Sequence, residues 1–173
     1  IGANGASFNS YTRCEFFYPM LKRMPPDLFI MSVGTNDAYM STSRYDSLKY
    51  ARLLTNMMDS CLSINPKCTF ILTVPNDSYY RRKYKNPNTR VQQHTILKIA
   101  EMYNCVVWDL FEIMGGLGSA QKWYKDKLMP YDRIHFTRKG YTIKANLFIK
   151  ALEKYRRAYL TKQDERTELN IGE

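Results

Sequence analysis

Asp132 and His135 stand three residues apart in the stretch Asp132-Arg133-Ile134-His135-Phe136-Thr137, and His135 is one of only two histidines in the chain. An Asp carboxylate bonded to one imidazole nitrogen fixes the tautomer and stabilises the imidazolium. The other nitrogen is then free to take a proton from a hydroxyl nucleophile. A short turn with this spacing can aim both side chains at one point. Taken alone, the same four residues also describe a surface Asp and a core His at a helix entrance. Thr137 is a plausible N-cap, and after it Tyr141, Ala145, Phe148, Leu152, Tyr155 and Tyr159 recur at spacings of three and four. That period predicts an amphipathic helix that would anchor the turn on a core.

Two more stretches bear on the choice. Ile1-Gly2-Ala3-Asn4-Gly5-Ala6-Ser7 sets a glycine at a strand-to-helix turn, and Leu28 to Val33 runs an apolar strand straight into Gly34-Thr35-Asn36-Asp37. In order, the three stretches resemble the Gly, Gly-x-Asn-Asp and Asp-x-x-His blocks of the SGNH (GDSL-like) esterase and acylhydrolase family. The resemblance implies that the Gly5 backbone N–H and the Asn36 side-chain amide form an oxyanion hole, with His135 as base and Asp132 as its orienting partner. No Gly-Asp-Ser stretch is present. In the family this block carries the nucleophile upstream of the glycine block, so the resemblance implies a serine encoded before residue 1, on a segment that partners this chain.

Those residues need a scaffold. Ala6 to about Arg23 reads as a helix interrupted near Pro19, and Pro25-Pro26 ends it. Leu28 to Val33 has the near-continuous apolar character of a strand buried on both faces. After a loop over Asp37 to Ser43 come a long helix from about Arg44 to Ile64 and a buried strand, Thr69 to Val74. Asn76 to Asn88, polar, basic and tyrosine-rich, reads as a surface loop. A helix from about Thr89 to Tyr103 presents Val91, Ile96, Ile99, Ala100 and Tyr103 and leaves His94 exposed. Val106 to Leu110 is the last strand, and an irregular segment runs from Gly115 to Tyr131.

Strands alternating with helices imply an α/β fold, a parallel sheet covered on both faces, with ligands beyond the carboxyl ends of the strands. The resemblance makes this the three-layer, flavodoxin-like SGNH fold, with N-terminal strands missing from this chain. Residues 1–160 would form the domain and 161–173 a polar tail. If the strand that carries the serine is absent, Leu28 to Val33 becomes an apolar edge open to pairing.

With 173 residues and 45% hydrophobic content, the chain is expected to be one globular domain. It shows no run of about 18 apolar residues and no charged-then-apolar leader, so neither a membrane span nor a targeting signal is expected within it. The net charge of +10 gathers in two places, Arg81, Arg82, Lys83, Lys85 and Arg90 in one loop and a row of Lys and Arg along the last helix. Such a balance can serve nucleic acid or an anionic surface, or it can be a solvated helix face and a basic loop. The solvated reading is preferred, and no nucleic-acid partner is expected. Four cysteines, Cys14, Cys61, Cys68 and Cys105, lack the spacing of a metal site or a disulfide scaffold.

No cofactor or metal is expected: neither histidine lies in His-Glu-x-x-His, and Gly115-Gly116-Leu117-Gly118 lacks the Lys and Ser/Thr of a P-loop. Ser7 and Ser119 are candidate substitute nucleophiles, although each reads better as a helix cap or a loop hydroxyl. The expectation is an ester hydrolase acting on an O-acetylated carbohydrate, with Tyr39, Tyr79, Tyr80 and Trp123 as an aromatic rim. The alternatives are a carbohydrate-binding module that kept the fold without catalysis and a nucleic-acid binder. Analogy with secreted and cell-envelope family members suggests a location outside the cytoplasm.

Overall fold

In the computed structural model, residues 5–171 are described, with side chains described to residue 161. The expected strand tail over Ile1 to Asn4 lies outside them. Three parallel strands, β1 (Leu28–Met31), β2 (Thr69–Val74) and β5 (Val106–Asp109), pair in the order β1-β2-β5. Leu28 lies opposite Thr69 and Ile71 opposite Val106. The connections are helical. α1 (Phe8–Thr12) and α2 (Phe17–Arg23) precede β1, and α3 (Thr35–Ala38) and α4 (Ser47–Ile64) follow it. α5 (Asn88–Met102) joins β2 to β5, and α6 (Leu110–Met114), α7 (Ser119–Lys125) and α8 (Arg138–Ile171) complete the chain. The residues expected as a polar tail begin inside α8.

α4 shows how sequence sets an element. Asp46 caps it by accepting from the Lys49 N–H at 2.9 Å, and Tyr50, Leu54, Met57, Met58 and Cys61 put one apolar stripe on the core. That stripe meets Phe70, Leu72 and Val74 of β2 and Ile96 and Ile99 of α5. Fully burying each aliphatic side chain contributes about 1.5 to 3 kcal/mol. On the opposite side, Trp108 of β5 packs edge-to-face on Phe148 of α8, with ring centroids 4.9 Å apart. This second core joins Leu110, Met114, Trp123, Met129 and Phe136.

Several expectations change. The N-terminal helix breaks at Arg13 to Phe16, not at Pro19, which sits in the first turn of α2 where a missing N–H costs little. β1 is not buried on both faces: among the described residues it pairs with β2 alone, and Leu28 and Ile30 are 50% and 43% exposed. A cavity of about 1210 Å³ lies beside it, between the sheet and α8. The stretch expected as a surface loop, Asn76 to Asn88, carries a hairpin, β3 (Tyr79–Tyr80) with β4 (Tyr84–Lys85). Its stem is buried at Asn76, Asp77, Ser78, Asn86 and Asn88, because their polar groups, one oxygen of Asp77 excepted, find partners inside. On α5 the inward positions include Gln92 and Gln93, and Val91 is exposed. The segment expected to be irregular contains α7. All four cysteines are free thiols.

Candidate active site

His135 Nδ1 lies 2.8 Å from Asp132 Oδ2, and Asp132 Oδ1 accepts from the backbone N–H groups of Ile134 (2.8 Å) and His135 (3.1 Å). The carboxylate thus closes its own four-residue turn and still has an oxygen for the imidazole. Burial is the largest single influence on Asp132 and opposes ionisation. The hydrogen bonds from the His135 ring and the two backbone groups together outweigh it and hold the carboxyl below its usual range. The His135 side chain is 62% exposed.

The turn is fastened on three sides. The Asn76 side chain, just past β2, donates to the Ile134 carbonyl at 3.0 Å, and the Tyr79 N–H donates to the Arg133 carbonyl at 3.1 Å. Arg133 has a left-handed backbone, with φ of 52°, and its guanidinium lies 4.4 Å over the Tyr79 ring. That guanidinium also donates to Gln121 Oε1 at 2.6 Å and to the Arg82 carbonyl. On the third side the Thr137 N–H and hydroxyl both donate to the Leu128 carbonyl, and the hydroxyl accepts from the Gly140 N–H. Gly140 is required by this contact: a Cβ there would sit 2.1 Å from the Leu128 oxygen.

The residues expected to form the oxyanion hole are brought together from distant parts of the chain. Asn36, in the first turn of α3, donates from Nδ2 to the Ala6 carbonyl at 2.9 Å, which brings it to the loop that carries Gly5. An amide nitrogen has two hydrogens, so one donor is left over. Asp37 accepts from the Phe8 N–H at 3.3 Å through both oxygens, and burial, only partly offset by backbone hydrogen bonds, raises its pKa. Gly34 turns the chain between β1 and α3 at φ of +132°, where a Cβ would meet Pro75 at 2.9 Å and the Tyr50 hydroxyl at 3.0 Å. Gln92 of α5 secures the Gly34 carbonyl at 2.8 Å.

Asn36 and the Asp132–His135 turn both lie past carboxyl ends of the parallel strands. The ends of β1, β2 and β5 surround a small cavity of about 60 Å³ lined by Thr35, Asn76, Leu110 and Lys144. Burial lowers the Lys144 pKa. Asn36 and His135 line no common cavity among the described residues: Asn36 opens instead on a groove of about 500 Å³ along β1, with Ala6, Met20, Ile30 and Ser32.

Of the expected aromatic rim, Tyr39 and Tyr80 are half-buried and pack edge-to-face on each other at 5.3 Å. Tyr79 and Trp123 do not belong to a rim. They are 7% and 9% exposed, Tyr79 under Arg133 and Trp123 in the second core with Nε1 donating to the Met114 carbonyl at 3.4 Å. Ser7 caps α1 through a reciprocal pair of hydrogen bonds with Ser10. The Ser119 hydroxyl is buried at the start of α7, and His94 is exposed. Among the described residues no group of three or more His, Cys, Asp or Glu could hold a metal ion. Sequence reasoning missed Asn76 and Arg133. Asn76 directly follows the β2 end at Pro75, a signal that could have marked it, whereas Arg133 was a wildcard inside the motif.

Fold and site together define a class: a parallel α/β domain with an acid–histidine turn and an asparagine at the strands' carboxyl ends. The family model of GDSL-like lipases and acylhydrolases matches residues 1–143, and the chain belongs to that family of esterases. No curated protein matches the chain. A peptidoglycan O-acetylesterase structure is similar over 90% of this chain and 45% of its own length, with 22% identity and a TM-score of 0.78. The chain thus spans less than half of that protein. An acetyl xylan esterase (19% identity, TM-score 0.65) matches over 87% of this chain and 78% of its own. A lipase/acylhydrolase from Enterococcus faecalis (19% identity, TM-score 0.61) matches over 87% and 72%. At these identities the likeness is one of fold.

Proposed function

We propose that this chain is the larger part of an esterase domain that removes O-acetyl groups from a carbohydrate, using a serine encoded upstream of residue 1. The observation that carries the reading is the 2.8 Å Asp132–His135 pair in an exposed, three-way anchored turn. The serine hydroxyl attacks the ester carbonyl as His135 Nε2 takes its proton, and Asp132, on Nδ1, stabilises the imidazolium. The Gly5 N–H and the second Asn36 amide hydrogen receive the negative oxygen. As the C–O bond breaks, His135 returns the proton to the leaving sugar hydroxyl. Water activated by the same imidazole then releases acetate and frees the serine. The open side of β1 suits pairing with the upstream strand. The names of the peptidoglycan O-acetylesterase and acetyl xylan esterase support acetylated carbohydrate as the substrate class.

The test is acetate release from an O-acetylated polysaccharide by the protein with its upstream segment. Activity should vanish on replacing the upstream serine or on His135→Ala, and residues 1–173 alone should be inactive. Glycan binding without acetate release would instead make the domain a binding module. Hydrolysis by residues 1–173 alone, abolished by Ser7→Ala or Ser119→Ala, would put the nucleophile inside this chain.

A further inference from the structure

The β3–β4 hairpin touches both halves of the site. On one side the Arg81 N–H donates to the Tyr39 hydroxyl at 3.2 Å, and Tyr39 follows directly on the helix that carries Asn36. On the other side the Arg82 carbonyl accepts from Arg133, and the Arg82 guanidinium lies 6.0 Å over the Tyr131 ring, next to Asp132. The hairpin therefore bridges the segments that carry Asn36 and His135, and its tip is cationic. Arg81, Arg82 and Lys83 are exposed, and among the described residues none of them pairs with a carboxylate.

The backbone at the tip is unusual for those side chains. The Lys83 N–H closes a tight turn on the Tyr80 carbonyl at 3.1 Å, and the two central residues, Arg81 and Arg82, have φ of 51° and 60°. Left-handed geometry at both positions is what Asn-Gly adopts without strain, and arginine does so at a cost. A solvated turn has no need of that cost. Backbone strain gathers where surrounding structure and function hold it. Here it sets two guanidinium groups between the two halves of the site, one 5.3 Å over the Tyr80 ring and one 6.0 Å over the Tyr131 ring. The guanidinium fork matches a carboxylate, and aromatic rings beside it suit the faces of sugars.

We propose that the hairpin tip is a subsite for an acidic glycan, so that the substrate is an O-acetylated polysaccharide whose sugars carry carboxylates, with Arg81 and Arg82 binding those carboxylates. This rests on the esterase reading of the neighbouring site. The decisive variant is Arg81→Asn/Arg82→Gly, which supplies the turn's favoured residues and removes both charges. With the upstream segment present, wild type should bind O-acetylated polygalacturonate about tenfold or more tighter than a neutral O-acetylated galactomannan of equal length at low salt. The variant should lose that preference while melting about 3 °C higher. Arg81→Lys/Arg82→Lys should keep most of the preference, and added salt should weaken it in the wild type.

Equal wild-type affinity for the two glycans, an undiminished preference in the Asn-Gly variant, or a lower melting temperature for that variant would each overturn the proposal. Tighter binding of a single-stranded oligonucleotide than of the acidic glycan would also overturn it, in favour of nucleic acid. The two readings fail separately. Selective binding of acidic glycan with no acetate released from any glycan sinks the esterase reading alone. Acetate release with equal KM from both glycans sinks the subsite alone.

Discussion

Replacing Asp132 by Asn alters one atom, and the surroundings dictate which way the new amide faces. The oxygen that accepts from the Ile134 and His135 N–H groups must remain an acceptor, since an NH2 turned towards two donors would repel both. The NH2 therefore falls on the oxygen that now meets His135 Nδ1 at 2.8 Å. A donor at that place obliges Nδ1 to accept. The ring proton moves to Nε2, the nitrogen that should take the serine proton, and the base is lost although the turn keeps its shape. The expected fall in kcat is roughly 10⁴-fold, about 5.5 kcal/mol in the barrier. Stability should change by less than about 1.5 kcal/mol because both backbone hydrogen bonds survive. Asp132→Ala would lose those as well and should melt lower. The assay is acetate release by the protein with the proposed upstream serine segment, joined to a nitrogen NMR measurement of the His135 tautomer in both proteins. A pH series adds a sign. A carboxyl lowered on folding lends stability above the ordinary Asp value of about 3.9, and that stability is lost as pH falls through the lower folded value. Asp132→Asn should flatten the melting curve in that acidic window. A kcat within threefold of wild type, or an unchanged tautomer, would refute the reasoning.

Asn36→Ala removes the proposed transition-state donor, so kcat should fall roughly 10² to 10³-fold, about 2.7 to 4 kcal/mol, in the same acetate assay. An unchanged kcat with raised KM would make Asn36 a substrate-binding residue instead. Asp77 is fully buried, and burial pushes its pKa up to about 6 against the backbone hydrogen bonds from Ala120 and Gly118, with one oxygen unpartnered. A raised carboxyl favours the folded state below the ordinary value, and this contribution is lost as pH rises through about 6, a loss on the order of 2 to 3 kcal/mol. Thermal melts of Asp77→Asn should accordingly gain on wild type between pH 4 and roughly pH 7. Parallel pH profiles for the two proteins would contradict this.

What sequence could and could not reveal follows from how local each feature is. The Asp132–His135 contact spans four residues, and β2 and the long helices carry their own periodicity, so these emerge from the residue order. β1 misleads because an apolar run reads as burial on both faces, whereas Leu28 and Ile30 are half open. The hairpin stem misled in the opposite sense. Asn76, Asp77, Asn86 and Asn88 look like loop residues, yet each is buried and matched to a partner, such as the Ala38 carbonyl that accepts from both Asn86 and Asn88 at 3.0 Å. Polarity reports hydrogen bonding as readily as exposure. Tyr79 and Trp123 passed for rim residues because nothing in the sequence says which tyrosines and tryptophans meet the second core.

The two halves of the site differ in how far apart in the chain their parts lie. Asp132 grips His135 three residues away, whereas Asn36 reaches Ala6 across 30 residues and Gln92 holds the Gly34 carbonyl across 58. Contacts between distant residues carry the greater loop-closure entropy and form late in folding. The Asp132–His135 contact itself is local, although its turn is held by Asn76 across 58 residues, while the contacts that place Asn36 and Gly34 form only once tertiary structure is complete. A partly folded molecule of this protein could form the proposed base and its acid partner and still lack the proposed oxyanion site.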